Sequence, residues 1–512
     1  MRRNFILFIS LFAATSAMYA QKMPNPEPFA KTITTNDLQQ HLNIIAGAEM
    51  EGRNTPSPGL EKAAQYIETR FKSFGLKPGN NGSFRQYYDL EKDSASALSL
   101  KMGDWDFKPW TDFAPWLSMP QSVDLHFSEY VFVGYGIVDE NRDDYASEDV
   151  KGKLVIMLNG APEGFKTDKP RRQSPAFATN KIANAKKKGA AAVFLIVDML
   201  PSQQMLNNAY RPKPKAASVE EQDALPAFLI NDNVVSKSGY SVAEIKKALD
   251  EDAGQPTSRT IDVAMNYSSG KKIATVSNVI GVVEGSDKKE EYLFVTAHYD
   301  HIGVEPDGRI NYGADDDGSG TVAVIEMAEA FAKAKKEGKG PRRTVVFMTV
   351  SGEEKGLWGS EYYSENPVFP LDKTTADLNI DMIGRIDTER MSADTQNYVY
   401  VIGHNKLSSD LPVINEGMND KYTQLVLDYK FDDPADPNRI YYRSDHYNFA
   451  RKGVPILFFY DGMLKADYHQ PTDTVDKINF PLLQKRAQMI FYTAWEMANR
   501  NDMLKRDLKL TQ

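Results

Sequence analysis

From residue 274 onwards two hydrophobic patterns alternate along the chain. Short apolar runs bounded by polar or glycine-containing turns, NVIGVVEG, EYLFVTAH, TVVFMTVSG, ADLNIDMIG and VPILFFYDG, predict strands, TVVFMTVSG a buried one. Between them, apolar residues at helical spacing predict helices in TVAVIEMAEAFAKAK, GLWGSEYYSEN, a stretch near 406–419, SDHYNFARKG and the terminal LLQKRAQMIFYTAWEMANR. Strands alternating with helices indicate a three-layer α/β sandwich around a central mixed sheet. Two earlier helices are expected to pack on that sheet, one near 36–47 and one in GLEKAAQYIETRFKSFGLKPG. In the second, Ala64, Tyr66, Ile67, Phe71 and Phe74 fall close to one face, and Gly75 with Pro78 stop it.

Residues 128–262 have a different character. YVFVGYGI, KGKLVIMLNG, KIANAKKKGAAAVFLIVD and LPAFLI are β-rich runs with a single helix among loops. They predict an inserted β-rich domain between an N-terminal part, 21–127, and the main domain, 263–512. No internal repeat is present.

Composition narrows the class. At 512 residues the chain exceeds the length at which one core usually stops growing. Its hydrophobic (41%), charged (26%) and aromatic (11%) fractions are those of a folded protein rather than a disordered one. The first twenty residues, MRRNFILFISLFAATSAMYA, join a basic start to an apolar run and then small residues, which predicts a signal peptide cleaved after Ala20. A retained anchor is the alternative, but the run falls short of the ~20 residues a spanning helix needs, and no later segment is apolar enough to span. An exported, soluble mature chain is expected. Removing Arg2 and Arg3 with the leader takes the basic residues from 61 to 59 against 70 acidic ones and the charge from −9 to about −11, which disfavours nucleic acid as a partner. Cysteine is absent, so disulfides and thiolate metal sites are excluded and any metal must be held by His, Asp and Glu. Export without disulfides points to a bacterial periplasm or exterior.

The chemistry concentrates at strand ends. His298 closes one strand in VTAHYDHIG, and His469 lies in DYHQPTDT after another; between them come DDD (Asp315, Asp316, Asp317), Glu353 and Glu354 in SGEEKGLWG, and Asp381 in NIDMIG. Ligands of open α/β sheets bind at the carboxyl ends of strands. Each element has a plainer explanation by itself: surface polarity for His-x-Asp, the acidic first turn of a helix for the glutamates, a cap for Asp381, a loop residue for His469. Together, at successive strand ends, they point to one site. Adjacent residues of extended chain face opposite sides, so one of Glu353 and Glu354 should meet an ion while its neighbour acts as a base, and Asp316 should face away from Asp315 and Asp317. Asp300, two residues after His298, is placed to accept its other ring N–H. Two histidines and three carboxylates exceed what one tetrahedral zinc takes, whereas two ions sharing a bridging carboxylate would use them all. Metal-assisted hydrolysis of an amide or ester is the reaction class this suggests.

The ordered motifs AHYDHIG, GADDDGSG, SGEEKGLWGSEYY, NIDMIG, SDHYNFARKGVP and YHQPTDT resemble the two-zinc aminopeptidase family that contains secreted bacterial leucyl aminopeptidases, glutamate carboxypeptidase and the non-catalytic transferrin receptor. The resemblance covers most of 274–512 and, weakly, 51–78. It implies two Zn2+ per chain, with His298 and Asp381 on one, Glu354 and His469 on the other, and Asp316 on both. Glu353 would be the general base and Tyr468 a donor to the oxyanion. Asp317 and Asp300 would lie behind the ligands, and the peptide between Asp316 and Asp317 would be cis. Residues 128–262 resemble the protease-associated domain inserted in many such enzymes.

Softer candidates remain. His446 matches a family position near the site, which makes it a candidate to touch substrate, but also reads as part of a helix cap. Arg443 could meet a substrate carboxylate or form a surface ion pair. DDPADPNR, 432–439, could hold calcium or simply turn. His41, His126, His301 and His404 receive no role. The expected function is an exported zinc exopeptidase acting on peptides, most simply an aminopeptidase. A carboxypeptidase or dipeptide hydrolase of the same fold, a metal-free receptor-like binding protein and a single-zinc glutaminyl cyclase are the alternatives.

Overall fold

All eight residues of strand Arg343–Val350 are buried, which requires cover on both faces because successive side chains point to opposite sides. Phe347 meets Phe331 of helix Gly320–Lys336 on one face. On the other, Val346, Met348 and Val350 pack with Tyr363 of helix Trp358–Glu365 and Phe449 of helix His446–Ala450. Three layers follow from this alternation.

The computed structural model describes residues 23–116, 122–202, 210–213, 224–237, 239, 241–250, 258–392 and 394–510. The expected leader, 1–20, lies outside them. Among the described residues no helix is long and apolar enough to cross a membrane.

The chain divides into two compact units, one made of the residues up to Tyr87 and from Val276 onwards, the other of Tyr88–Thr275. In the first, the sheet order is Val426–Asp428, Tyr398–Ile402, Ile456–Tyr460, Thr374–Ile380, Lys288–His298, Arg343–Val350, residues 279–283, then Lys77–Pro78. The four strands from Ile456–Tyr460 to Arg343–Val350 are mutually parallel, and their outer neighbours Tyr398–Ile402 and 279–283 run antiparallel, so the sheet is mixed. Tyr398–Ile402 and Val426–Asp428 are additions to the expected strands, and the helix expected near 406–419 spans Asp410–Tyr422. On one face, helix Gly320–Lys336 packs with Thr35–Ile45, Pro58–Phe74 and Phe480–Asn499. There Phe331, Phe491 and Trp495 lie with ring centroids 4.9–5.6 Å apart, each buried side chain contributing roughly 1.5–3 kcal/mol. Helix Pro58–Phe74 starts as its sequence prescribes, with Ser57 accepting from the Leu60 amide and Pro58 in the first turn, and ends at Gly75 with φ 84°.

The second unit has a sheet ordered 258–267, Val123–Phe132, Leu154–Leu158, Ala192–Ile196, Ala227–Ile230, Phe113–Pro115, with helix Ala178–Lys187 beside it. Phe132, Leu158, Phe194, Phe228 and Tyr267 anchor its main core. It begins at Tyr88 rather than 128 and ends at Thr275 rather than 262. Both boundaries fall inside long strands, Arg85–Met102 and Ser258–Val283, where the sequence shows neither a linker nor a change in composition.

Candidate active site

Parallel strands deliver their following residues to one edge of the first unit. His298 is the last residue of Lys288–His298, Glu353 and Glu354 follow Arg343–Val350, Asp381 follows Thr374–Ile380, and His469 is on the loop after Ile456–Tyr460. The stretch 314–319 that precedes helix Gly320–Lys336 is not regular helix: Asp316 (φ −98°, ψ 102°) and Asp317 (φ −110°, ψ 52°) leave helical values, and the peptide between them is cis. Gly313 permits the turn with φ 57°, and a Cβ on Gly320 would come within 2.5 Å of the Asp317 carboxylate and the Ile380 carbonyl.

The three adjacent aspartates separate in this geometry. Asp315 accepts from the Gly384 amide (2.8 Å), and burial together with Asp461 and Asp473 pushes its carboxyl well above the usual range. Asp317 accepts from the amides of Gly320 (2.8 Å) and Met382 (3.0 Å), bracing the residue after Asp381. Asp316 faces the other way. Its Oδ1 is 3.3 Å from His298 Nε2 and its Oδ2 3.2 Å from His469 Nε2. Burial alone would raise its pKa, but His298, His469 and His301 hold it well below the usual carboxylate range.

On one side of Asp316, His298 Nε2 is 3.5 Å from Asp381 Oδ1 and 3.9 Å from Glu353 Oε2. On the other, His469 Nε2 is 2.9 Å from Glu354 Oε2, and His301 Nδ1 is 2.8 Å from Glu354 Oε1. Burial would lower His469, yet Asp316 and Glu354 carry it up to about 10. Burial pushes the Glu353 carboxyl well above its ordinary value, with His298 opposing and Glu354 adding. The glutamates do diverge, but on a 3₁₀ turn, Glu353–Lys355, opened by Gly352 at φ 76°, rather than by strand alternation.

His298 Nε2, His469 Nε2 and Asp316 Oδ2 are buried without a hydrogen-bond partner. Buried polar atoms are rarely left so, and a cation among them is the partner this arrangement lacks. Two groups of donor atoms lie within 4.8 Å of one another, His298 with Asp316 and Asp381, and His301 with Asp316 and Glu354. The residues therefore fit a cation held by nitrogen and oxygen donors.

Other expected residues fall differently. Asp300 serves His298 through its main-chain carbonyl, 3.1 Å from Nδ1, while its carboxylate, 3.6 Å away, accepts instead from Thr55 Oγ1 and the Glu353 amide. The chain leaves the strand at His298, so the two-residue alternation no longer applies. His446 is fully buried, stacked on Phe458 at 4.6 Å with Nε2 2.8 Å from the Tyr441 carbonyl. Its burial corrects the expectation that it touches substrate. Arg443 and Tyr468 do line the pocket that holds Asp316, Glu353 and Asp381, and Arg443 Nη2 donates to the Tyr468 hydroxyl (3.1 Å). In DDPADPNR, Asp432 is taken by the Gly403 amide, His404 and Lys406, Asp433 by the Ala435 amide and Asp436 by those of Asn438 and Ile440, which removes the calcium reading. A larger cavity of about 580 Å³, between Trp116, Phe177 and Leu229 of the second unit, holds none of the ligating groups found among the described residues.

Sequence reasoning missed three contributors. Asp473 accepts from the amides of Asp315 and Asp316, and its place in the same YHQPTDT motif was the available signal. His301 was adjacent to a named motif residue. Arg53, in the short EGR run, gave no local sign of burial.

Residues 278–494 match the model of peptidase family M28. Over that segment the chain is similar to peptidase family M28. Among curated relatives, a probable leucine aminopeptidase of Arthroderma otae is 29% identical over 219 residues, 42% of this chain and 56% of that one. Aminopeptidase YwaD of Bacillus subtilis is 24% identical over 272 residues, 52% of this chain and 53% of that one. The chain thus spans a little over half the length of these relatives. In fold it is similar to an aminopeptidase from Aneurinibacillus sp. strain AM-1, with TM-score 0.53 and 19% identity over 95% of this chain and 100% of that one. A zinc aminopeptidase from Bacillus subtilis gives 0.50 and 18%, over 93% and 99%.

Proposed function

We propose that this chain is an exported zinc-dependent aminopeptidase that removes N-terminal residues from peptides. The observation that carries the reading is the pair of unpartnered imidazole nitrogens, His298 Nε2 and His469 Nε2, on either side of the buried Asp316 carboxylate. His298 and Asp381 would hold one zinc, Glu354 and His469 the other, and Asp316 both. When bound, the ions polarise the scissile carbonyl and make water acidic enough to attack at neutral pH.

The chain supplies the proton handling. Glu353, nearly buried beside His298, has a proton affinity raised by burial, which suits a base that takes a proton from the attacking water and returns it to the leaving amine. Because Arg443 donates to the Tyr468 oxygen, the phenol's own O–H is free for the developing oxyanion. Burial, with Asp316 and Glu354, keeps that phenol protonated. Export is supported by the leader-like first twenty residues.

Glu353→Gln tests the role of the base. It is expected to retain fold and zinc but lose on the order of 10²–10⁴-fold in kcat; near-normal turnover in the zinc-loaded variant rejects the assignment. A panel of peptides with free and acetylated N-termini tests the class, and equal cleavage of both sets would reject the aminopeptidase reading in favour of another hydrolase.

A further inference from the structure

His301 stands beside the proposed second zinc position and does something different there from the other two histidines. Its Nδ1 makes a hydrogen bond of 2.8 Å to Glu354 Oε1 and is 3.8 Å from Asp316. His469 Nε2 is equally near Glu354, 2.9 Å from Oε2, yet neither it nor His298 Nε2 makes a hydrogen bond. All three imidazoles thus have an Nε2 without a hydrogen-bond partner, but those of His298 and His469 face Asp316, whereas His301 meets the carboxylates through Nδ1, which is hydrogen-bonded to Glu354 Oε1. The tautomer follows from burial. His301 Nε2 is enclosed without a partner, and an orphaned buried N–H is rarer than an under-used acceptor, so the proton belongs on Nδ1.

The ring is also fixed in place. The His301 amide donates to the Arg53 carbonyl (3.2 Å), and the ring packs so closely on Gly313 that a Cβ there would come within 2.5 Å of Cγ. Asp381, on the proposed first zinc, is braced in the same manner, its Oδ2 accepting from Ser444 Oγ at 2.6 Å.

We propose that His301 is a positioning residue for the second zinc: its Nδ1–H occupies Glu354 Oε1, so that Glu354 offers only Oε2, on the side of His469, to the ion. This rests on the two-zinc reading above. Partners of this kind set the orientation and basicity of a ligand, and losing one typically costs about 10–100-fold in metal affinity.

The test uses the full chain, titrated with zinc against a competing chelator, with circular dichroism to verify folding. The substitutions are His301→Leu, His301→Asn, whose amide nitrogen can stand where Nδ1 is, and His301→Gln, whose amide nitrogen lies nearer Nε2. Wild type should hold two ions. His301→Leu should keep the first affinity and weaken the second by about 10–100-fold, His301→Asn should recover most of that loss, and His301→Gln should not. In all three KM should stay near wild type, while the kcat lost at limiting zinc returns with excess zinc. Unchanged second-ion affinity in His301→Leu overturns the proposal. If His301→Leu fails to fold, the Asn and Gln variants decide, and equal affinities in the two overturn it. A wild type that binds fewer than two ions overturns the two-zinc reading itself and this inference with it, whereas two ions in wild type with indifferent variants overturns only the role of His301.

Discussion

Arg53 shows how far one side chain's environment can depart from its local sequence. It is fully buried, and its guanidinium donates to the carbonyls of Tyr299 (2.9 Å), Ile45 (2.7 Å), Tyr312 (2.8 Å) and Gly313 (2.8 Å). Burial lowers its pKa, while Asp300, Asp473 and Asp316 favour its charge from a distance. It thereby ties the end of helix Thr35–Ile45 to the loop after His298 and to the turn before the aspartates. Replacing it leaves buried acceptors unpaired at about 1–3 kcal/mol each. Arg53→Met should therefore lower the stability of the first unit by at least about 3 kcal/mol, read as a shift in urea midpoint. Arg53→Lys should fall between, since one ammonium cannot reproduce a planar fork. Wild-type stability in Arg53→Met would contradict this account. AEMEGRNTPSP by itself gives no sign of this, because Arg53's partners lie up to 260 residues away.

At the scale of elements, the apolar runs were sufficient to locate the central strands, but they hid a titratable group inside one of them. Asp377, on strand Thr374–Ile380, is buried with Thr296 Oγ1 at 2.8 Å, and burial pushes its carboxyl up to about 8. Its folded pKa is raised above the unfolded value of 3.8, so the stability it contributes is fully present below about pH 4 and is lost as pH rises through 8. Within that window the slope approaches about 1.4 kcal/mol per pH unit for one proton. Asp377→Asn should flatten the fall in stability between pH 5 and 8, on the order of one proton's worth, in denaturation curves taken across that range. An unchanged slope would mean that Asp377 ionises in the folded protein as it does in the unfolded chain.

For the whole molecule, two units with separate cores predict two unfolding transitions, since each could in principle fold alone. The proposed zinc ligands all belong to the first. Zinc at about 1,000 times its Kd would stabilise that unit by about 4 kcal/mol. Calorimetry with and without a chelator should therefore show one transition falling and the other unmoved. Both moving together would mean that the units unfold cooperatively, and neither moving would count against a tightly held metal.

Local pattern determined the alternation of strands and helices, the helix stop at Gly75 and the set of acidic and imidazole groups at successive strand ends, because periodicity, glycine conformation and residue chemistry are properties of short segments. Only the tertiary structure decided which of those groups face one another. The antiparallel neighbour Tyr398–Ile402 joins the sheet through pairing with a distant strand, and the unit boundaries fall within strands that carry no compositional mark. His446 went to the core and His301 to the site although both adjoin the same kind of motif. Arg53 and Asp473 were drawn in by main-chain groups that the fold had left without partners. Such groups are created by folding, so no stretch of sequence displays them in advance.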